Sequence, residues 1–493
     1  MLFNSLQFLI FFPAVTLLYF ILPHRFRWML LLAAGCFFYM AFIPVYIFIL
    51  AITIIIDYFA GILIERSEGP QRKTYLIVSI ISTCAVLFIF KYFNFFNANC
   101  RALAEFLHWN YSADVLNLVL PIGLSFHTFQ SLSYVIEVYR RRQKAEKHFG
   151  IYSLYVMFYP QLVAGPIERP QNLLHQFYEK HSFDYQRVTD GLKLMAWGLF
   201  KKMVIADRLA LFVSMVYDNP CNHQGVTLIL ATVFFAFQIY CDFSGYSNIA
   251  IGAAQVMGFK LMDNFKRPYF SCSVAEFWRR WHISLSTWFR DYLYIPLGGN
   301  RAALPRWCAN VFITFLVSGL WHGANWTYIV WGALHGVYML AGSLGAGLRG
   351  KFTRAIGLEK YPVVHSYLRV VTTFLLVTFA WIFFRARSVQ DAMYVVTHLF
   401  ARIGDHEGGI FNLYFGSDRL PPGMPGTAKS DLIVACVLIL FLTGVHSLQR
   451  HGSIRNRLRT QPAVIRWCLY FSVVYGTLFL SARGKTQFIY FQF

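Results

Sequence analysis

The chain has 493 residues, of which 57% are hydrophobic, 18% aromatic and only 14% charged. That balance is too apolar and too charge-poor for a soluble protein of this length. Its 44 lysines and arginines against 23 acids give a formal charge of +21, but the basic residues cluster between apolar windows, as at Arg140–Arg142 and Arg450–Arg459. Such clusters are the mark of positive-inside loops, and with no soluble basic domain present they exclude nucleic acid as a partner.

Apolar windows of roughly 18 to 22 residues recur from end to end, which predicts an all-α polytopic membrane protein rather than a barrel of short alternating strands. The first, Phe8 to Leu22, has no basic residue before it and no small-residue cleavage site after it, so it is expected to remain as a span. Further spans are expected near 28–44, 45–63, 75–93 and 115–138. Basic residues follow at His24–Arg27, Arg66 to Lys73 and Arg140–Arg142, whereas the loop Asn97–Asp114 has Arg101 alone. The alternation places the basic loops in the cytoplasm and the N-terminus outside. Within 115–138, Gly123, His127, Gln130, Tyr134 and Glu137 recur at helical steps. They make a polar stripe that is either a helix-packing face or a cavity lining.

The stretch Phe158–Pro170 is broken by proline and glycine and reads as re-entrant, a backbone tolerated at membrane depth where protein or water satisfies it. Asp190–Arg208, with Lys193, Lys201 and Lys202 among apolar residues, reads as an interfacial helix. Thr227–Phe243 leads into Tyr240–Asn248, and Phe259–Arg306 is the longest polar-rich interruption. Spans near Cys308–Asn325, Tyr328–Leu348, Leu368–Phe384, Asp431–His446 and Ile465–Ser481 bring the total to roughly eleven crossings. The Gly-, Pro- and acid-rich segment Ile403–Ser430 is expected outside. No internal repeat is apparent, which counts against a transporter built from two halves. The expected organisation is one membrane-embedded domain over 1–493, with N-terminal spans to 138, a core with re-entrant segments over 139–345, and C-terminal spans from 346. Nine scattered cysteines without a Cys-x-x-Cys pair indicate neither a zinc site nor a disulfide framework, although Cys100 and Cys221, both expected outside, are a candidate pair.

The chemistry gathers around Ser318-Gly319-Leu320-Trp321-His322-Gly323-Ala324-Asn325. Thr314, Ser318, His322 and Asn325 follow one another at steps of four, four and three, which predicts one polar face on an otherwise lipid-like helix. A histidine at bilayer depth is a functional-site hypothesis by default. The second dense stretch, Glu276–Tyr292, reads as a single helix with Trp278, His282, Leu285, Phe289 and Tyr292 on one stripe and Glu276, Arg280, Thr287 and Asp291 on another, ended by Pro296-Leu297-Gly298-Gly299. Acyl transfer to a hydroxyl needs a base for the hydroxyl proton, a donor for the developing oxyanion and a channel that excludes water. His322, kept neutral by desolvation, can be that base, with His282 as a second candidate. Ser318, Trp321, Asn325, Trp278, His335, Gln130 and Tyr134 are candidates to line the substrate path. Arg279, Arg280 and Arg290 are candidates to meet a phosphate-bearing donor, or else ordinary interfacial charge.

At these residues the chain resembles the membrane-bound O-acyltransferase family, in its bacterial alginate O-acetyltransferase type. The resemblance runs through Pro121–Phe126, Gln161–Ile167 with Arg169, Tyr240–Ser247, Glu276–Arg301, Trp321-His322-Gly323, Trp331-Gly332 with His335-Gly336, and the tail Phe488–Phe493. It implies that His322 is the essential histidine and His282 the family's second characteristic polar position. It also implies helices around a funnel or tunnel in a bacterial inner membrane. An acyl group would pass from a cytoplasmic thioester, acetyl-CoA or a loaded acyl carrier, to a polysaccharide or a periplasmic acetyltransferase partner, with no bound cofactor. His127 stands where an aromatic residue is usual and Asn248 where aspartate is. Transfer of D-alanine to teichoic acid is the related alternative; a proton-relaying transporter and a non-catalytic subunit of an export complex are the alternatives of another class.

Overall fold

The computed structural model describes residues 1–401, 428–452, 454–481 and 488–489, and the regular elements among them are all helices, with no strand. Most of the segment Ile403–Ser430 and of the tail Phe488–Phe493 lies outside the described residues. In chain order the principal helices are α1 (Leu6–Ile21), α2 (His24–Met40), α3 (Ile47–Arg66) and α4 (Gly69–Phe106). Then come α5 (Leu124–Tyr139), α6 (Phe149–Met157), α7 (Tyr185–Phe200), α8 (Asp207–Tyr217) and α9 (Val226–Met257). Two short helices, α10 (Val274–Arg280) and α11 (Ile283–Phe289), precede α12 (Leu304–His322), α13 (Trp326–Leu344) and α14 (Ala346–Ala355). The chain continues through α15 (Pro362–Arg385), α16 (Val389–His398), α17 (Ala428–Leu448) and α18 (Ala463–Leu480).

Among the described residues six helices are long and apolar enough to cross a membrane, or seven if α13 and α14, bent by 61° at Gly345, form one span. This multi-pass architecture agrees with the expected class, although fewer helices meet the criterion than the crossings counted from apolar windows. The shortfall has local causes. The window at 115–138 contains Pro121, which lacks an N–H, and Gly123, which takes the left-handed conformation (φ 81°), so α5 begins at Leu124 and is only 16 residues long. In the other direction, α4 does not stop at the expected loop but runs through a π-helical turn at Phe88–Tyr92 to Phe106. Asn94 explains this locally: its Nδ2 donates to Leu116 O (2.8 Å) and its Oδ1 accepts from Leu116 N (2.9 Å), so the helix holds the returning extended chain.

The chain forms two compact units, Met1–Met195 with Tyr246–Asp263, and Ala196–Gly245 with Asn264–Phe493. In the first, the backbone expected to be broken at Phe158–Pro170 is so: after α6 it is non-helical and wholly buried from 158 to 168. Side chains satisfy it. Gln130 and Gln161 both donate to Tyr155 O, Tyr155 OH donates to Glu168 O (2.9 Å), and the Glu168 carboxylate accepts from Met262 N (2.6 Å) and the Asn172 amide. A buried polar backbone in hydrocarbon requires such partners.

The second unit corrects the interfacial reading of Asp190–Arg208. Lys201 and Lys202 are buried in a π-helical turn (Lys201–Ala206) between α7 and α8. Lys201 Nζ donates to Ser244 Oγ (2.7 Å), and Lys202 Nζ lies between Asp207 (2.8 Å) and Asp242 (2.7 Å). Two carboxylates compensate one buried ammonium, which explains how it leaves water. The core of this unit is aromatic, with Trp281, Trp331 and Trp381 almost fully buried. Cys100 and Cys221 are both free thiols.

Candidate active site

α12 and α13 meet glycine against glycine. A Cβ on Gly319 would fall on the carbonyl oxygen of Tyr328, one on Gly332 on that of Phe315, and one on Gly323 on the Tyr328 ring. Small residues spaced by four let the two backbones approach and set the depth of everything that follows. α12 ends at His322 because Gly323 leaves the helix in an extended conformation. Asn325 starts α13: its side chain accepts from Thr327 N (3.0 Å) and donates to Arg387 O (3.0 Å). The four-residue polar face therefore shortens. Ser318 and His322 stay buried on α12, Thr314 Oγ1 turns back to Asn310 O (2.6 Å), and Asn325 is a helix cap beyond the helix end.

His322 is enclosed by rings: Trp321 at 4.8 Å between centroids, Trp331 at 5.0 Å and Phe384 at 5.2 Å. Trp331 continues the layer to His335 (4.9 Å), whose Nδ1 accepts from Trp278 Nε1 at 3.2 Å. Trp321 in turn lies 6.2 Å from His282, which sits edge-on to Phe243 at 4.6 Å. The structure thus brings His282, Trp321, His322, His335 and Trp278 into one buried aromatic layer of the second unit.

The single helix expected over Glu276–Tyr292 is broken at its centre. Trp281 is extended and His282 takes a left-handed conformation (φ 42°, ψ 55°), so α10 ends at Arg280 and α11 begins at Ile283. Asn264 is the cause. Its backbone carbonyl accepts from Ile283 N (3.0 Å), and its side-chain oxygen accepts from Ser284 N (3.3 Å) and Ser284 Oγ (3.0 Å). Trp278 and His282 are consequently buried by a turn, not by a shared helical stripe. Tyr292 falls in a further π-helical turn, Arg290–Tyr294. Asn264 had no periodic signal, lying inside the polar-rich interruption; Trp331 was visible as a motif residue but not as the ring between two histidines.

Of the arginines, Arg279 and Arg290 are exposed and Arg280 is half-buried. Arg280 pairs with Glu276 (2.5 Å) and Arg290 with Asp291 (2.8 Å). Gln130 and Tyr134 belong to the first unit, where Gln130 holds Tyr155 O and Tyr134 OH accepts from Glu146 N (2.9 Å). Among the described residues no three His, Cys, Asp or Glu side chains are placed to hold a metal ion.

A buried histidine layer in a helical membrane scaffold suits acyl transfer, and residues 16–386 match the family described as MBOAT, membrane-bound O-acyltransferase. The chain belongs to this family and is an acyltransferase. It is 39% identical over 451 residues to the probable alginate O-acetylase AlgI of Pseudomonas aeruginosa, covering 90% of this chain and 81% of the relative. It is 34% identical over 517 residues to the protein of that name from Pseudomonas putida, covering the whole of both. The peptidoglycan O-acetyltransferase of Helicobacter pylori is 30% identical over 533 residues, with 100% of this chain and 98% of the relative covered.

Proposed function

We propose that the protein moves an acetyl group from a cytoplasmic thioester, acetyl-CoA or a loaded acyl carrier, through the bacterial inner membrane for O-acetylation of an extracytoplasmic polysaccharide. The acceptor is the polymer itself or a periplasmic acetyltransferase partner, and the N-terminus lies on the outer side. The observation that carries this reading is His322, held at the end of α12 inside a shell of Trp321, Trp331 and Phe384. An imidazole nitrogen of His322 takes the proton of the acceptor hydroxyl while that oxygen bonds to the thioester carbonyl carbon. The carbon–sulfur bond then breaks, and the proton passes to the departing thiolate. The surrounding rings keep out water, which would otherwise compete as acceptor. His282, on its turn beside Trp321, is the second group in reach of this layer.

The alginate O-acetylases among the relatives favour a polysaccharide acceptor. The Helicobacter relative supports a second reading, in which the acceptor is peptidoglycan. The test is His322→Ala as the sole copy in a producing strain, with acetyl content measured on both polymers by NMR and protein amount by immunoblot. Acetylation is expected to fall to background at unchanged protein level; full acetylation would refute the role of His322. Ester-linked D-alanine in place of acetyl would instead mark the related D-alanyl transfer. Solute uptake into vesicles without thioester turnover would mark a transporter.

A further inference from the structure

Asp57 lies midway along α3 in the first unit, fully buried and with no ion pair among the described residues. Its carboxylate is met by hydroxyls. Ser79 Oγ donates to Oδ1 at 2.7 Å, and Thr83 Oγ1 donates to Oδ1 (3.1 Å) and Oδ2 (3.2 Å). Over Gly69–Leu87, α4 buries Ser79, Thr83 and Leu87 and turns its other side chains outward. This helix therefore lays two hydroxyls, one turn apart, onto one carboxylate.

On the other side of Asp57 is α5, and two contacts fix the register. Thr53 Oγ1 lies 3.3 Å from His127 Nε2, and a Cβ on Gly61 would lie 2.8 Å from the Tyr134 hydroxyl. Asp57 stands one turn from Thr53 and from Gly61, and Ser131 one turn from His127 and from Tyr134, so the two face each other. Tyr152 of α6 packs its ring on Tyr134 (4.5 Å) and on Tyr58 (5.8 Å), the residue after Asp57. Ser131 is accordingly near enough to act on both Asp57 and Tyr152. Yet neither Ser131 Oγ nor the Tyr152 hydroxyl closes a hydrogen bond of ordinary length and angle, and both residues are fully buried.

A buried anion at membrane depth needs a compensating charge. Both oxygens of Asp57 accept hydrogen bonds, the arrangement of a carboxylate; a carboxylic acid would have to donate from one of them. His127, the basic group one turn along α5, is engaged with Thr53, whose hydroxyl donates to Leu50 O (2.9 Å). The surroundings of Asp57 are instead neutral oxygen, two hydroxyls bonded to it and two with lone pairs unspent. One negative charge among hydroxyls, without a second carboxylate, a thiolate or an imidazole ligand, suits a hard cation of single charge rather than a divalent or transition-metal ion.

We infer that Asp57, Ser79, Thr83, Ser131 and Tyr152 bind a monovalent alkali cation between α3, α4, α5 and α6. The ion neutralises the carboxylate, engages the two idle hydroxyls and staples four segments of the first unit. The site is independent of the thioester reading above.

The experiment uses the purified full chain in detergent at constant ionic strength, in NaCl, KCl or choline chloride. Sodium or potassium should raise the unfolding midpoint by about 3 °C over choline. The more effective of the two, supplied as radioactive sodium or as rubidium in place of potassium, should bind at about one ion per chain. Asp57→Asn keeps the shape and removes the charge, so it should lose both the response and the bound ion. Ser131→Ala and Thr83→Val each remove one ligand and should move half-saturation about tenfold towards higher salt. They test the site even if Asp57→Asn fails to fold. Equal midpoints in the three salts, a response kept by Asp57→Asn, or wild-type half-saturation in both hydroxyl variants overturns the inference. A midpoint that follows pH and not the cation means that a proton neutralises Asp57, and overturns it as well.

Discussion

The two units bury polar side chains for different ends. In the first, apart from the Asp57 cluster, nearly every polar atom named above is spent on backbone: Gln130 and Gln161 on Tyr155 O, Tyr155 on Glu168 O, Glu168 on Met262 N, Tyr134 on Glu146 N. In the second, His282, His322 and His335 are packed among rings, with Trp321 and Trp331 standing between them. Hydrogen bonds to backbone fix a broken chain at membrane depth, because each one replaces water that the bilayer cannot supply. Rings fix a histidine's position by their shape and keep water away from it. The comparison separates scaffold from proposed reaction centre, and substitutions can break it.

The largest effect is expected at His322. His322→Gln keeps the volume and a polar tip but removes the proposed base, and kcat should fall by about 10²–10⁴-fold. Thermal unfolding should stay near wild type, since the ring shell remains. Next comes Gly319→Val, which drives a branched side chain into the Tyr328 carbonyl. Overpacking here should cost about 3 kcal/mol and displace α12 from α13. Unfolding midpoint and activity should fall together, and a variant that is inactive yet as stable as wild type would mean Gly319 acts in the chemistry and not through packing. A smaller effect is expected in the first unit. Gln130→Leu removes one donor to Tyr155 O and should cost about 1–2 kcal/mol in stability, with kcat per folded molecule unchanged. A kcat change there without a stability change would place Gln130 on the substrate path and blur the distinction between the units.

Much of this was legible in the sequence. Apolar windows announce the membrane class, Pro160 and Gly165 announce the broken, buried stretch, and Trp321-His322-Gly323 announces the buried histidine among its rings. Two kinds of feature were hidden. Helix ends set by a single partner escape periodicity: Asn264 breaks the Glu276–Tyr292 pattern from outside it, and Asn325 caps the next helix although its spacing fits the previous one. Buried charge is the second kind. Lys201 and Lys202 look interfacial until Asp242 and Ser244, about 40 residues on, are brought against them by packing, which no local window contains. The arginines divided for the same reason, since exposure, and not sequence position, separates Arg279 from Arg280.

The smallest expected effect concerns His335, the histidine of the layer that is also hydrogen-bonded like a scaffold residue. Trp278 Nε1 donates to its Nδ1 at 3.2 Å, and the two rings stand edge to face at 5.0 Å. Trp278→Phe keeps a ring in place and deletes the donor, so it should cost about 1 kcal/mol. His335→Phe should cost a similar amount. A double-mutant cycle should then return a coupling of about 1 kcal/mol, because the two residues share one bond. If His335 only positions the layer, both variants keep kcat within a few fold and the coupling appears in unfolding alone. If His335→Phe instead silences transfer in a protein of normal stability, the reaction centre extends along Trp331 from His322 to His335, and the division between scaffold and chemistry runs through α13 rather than at its start.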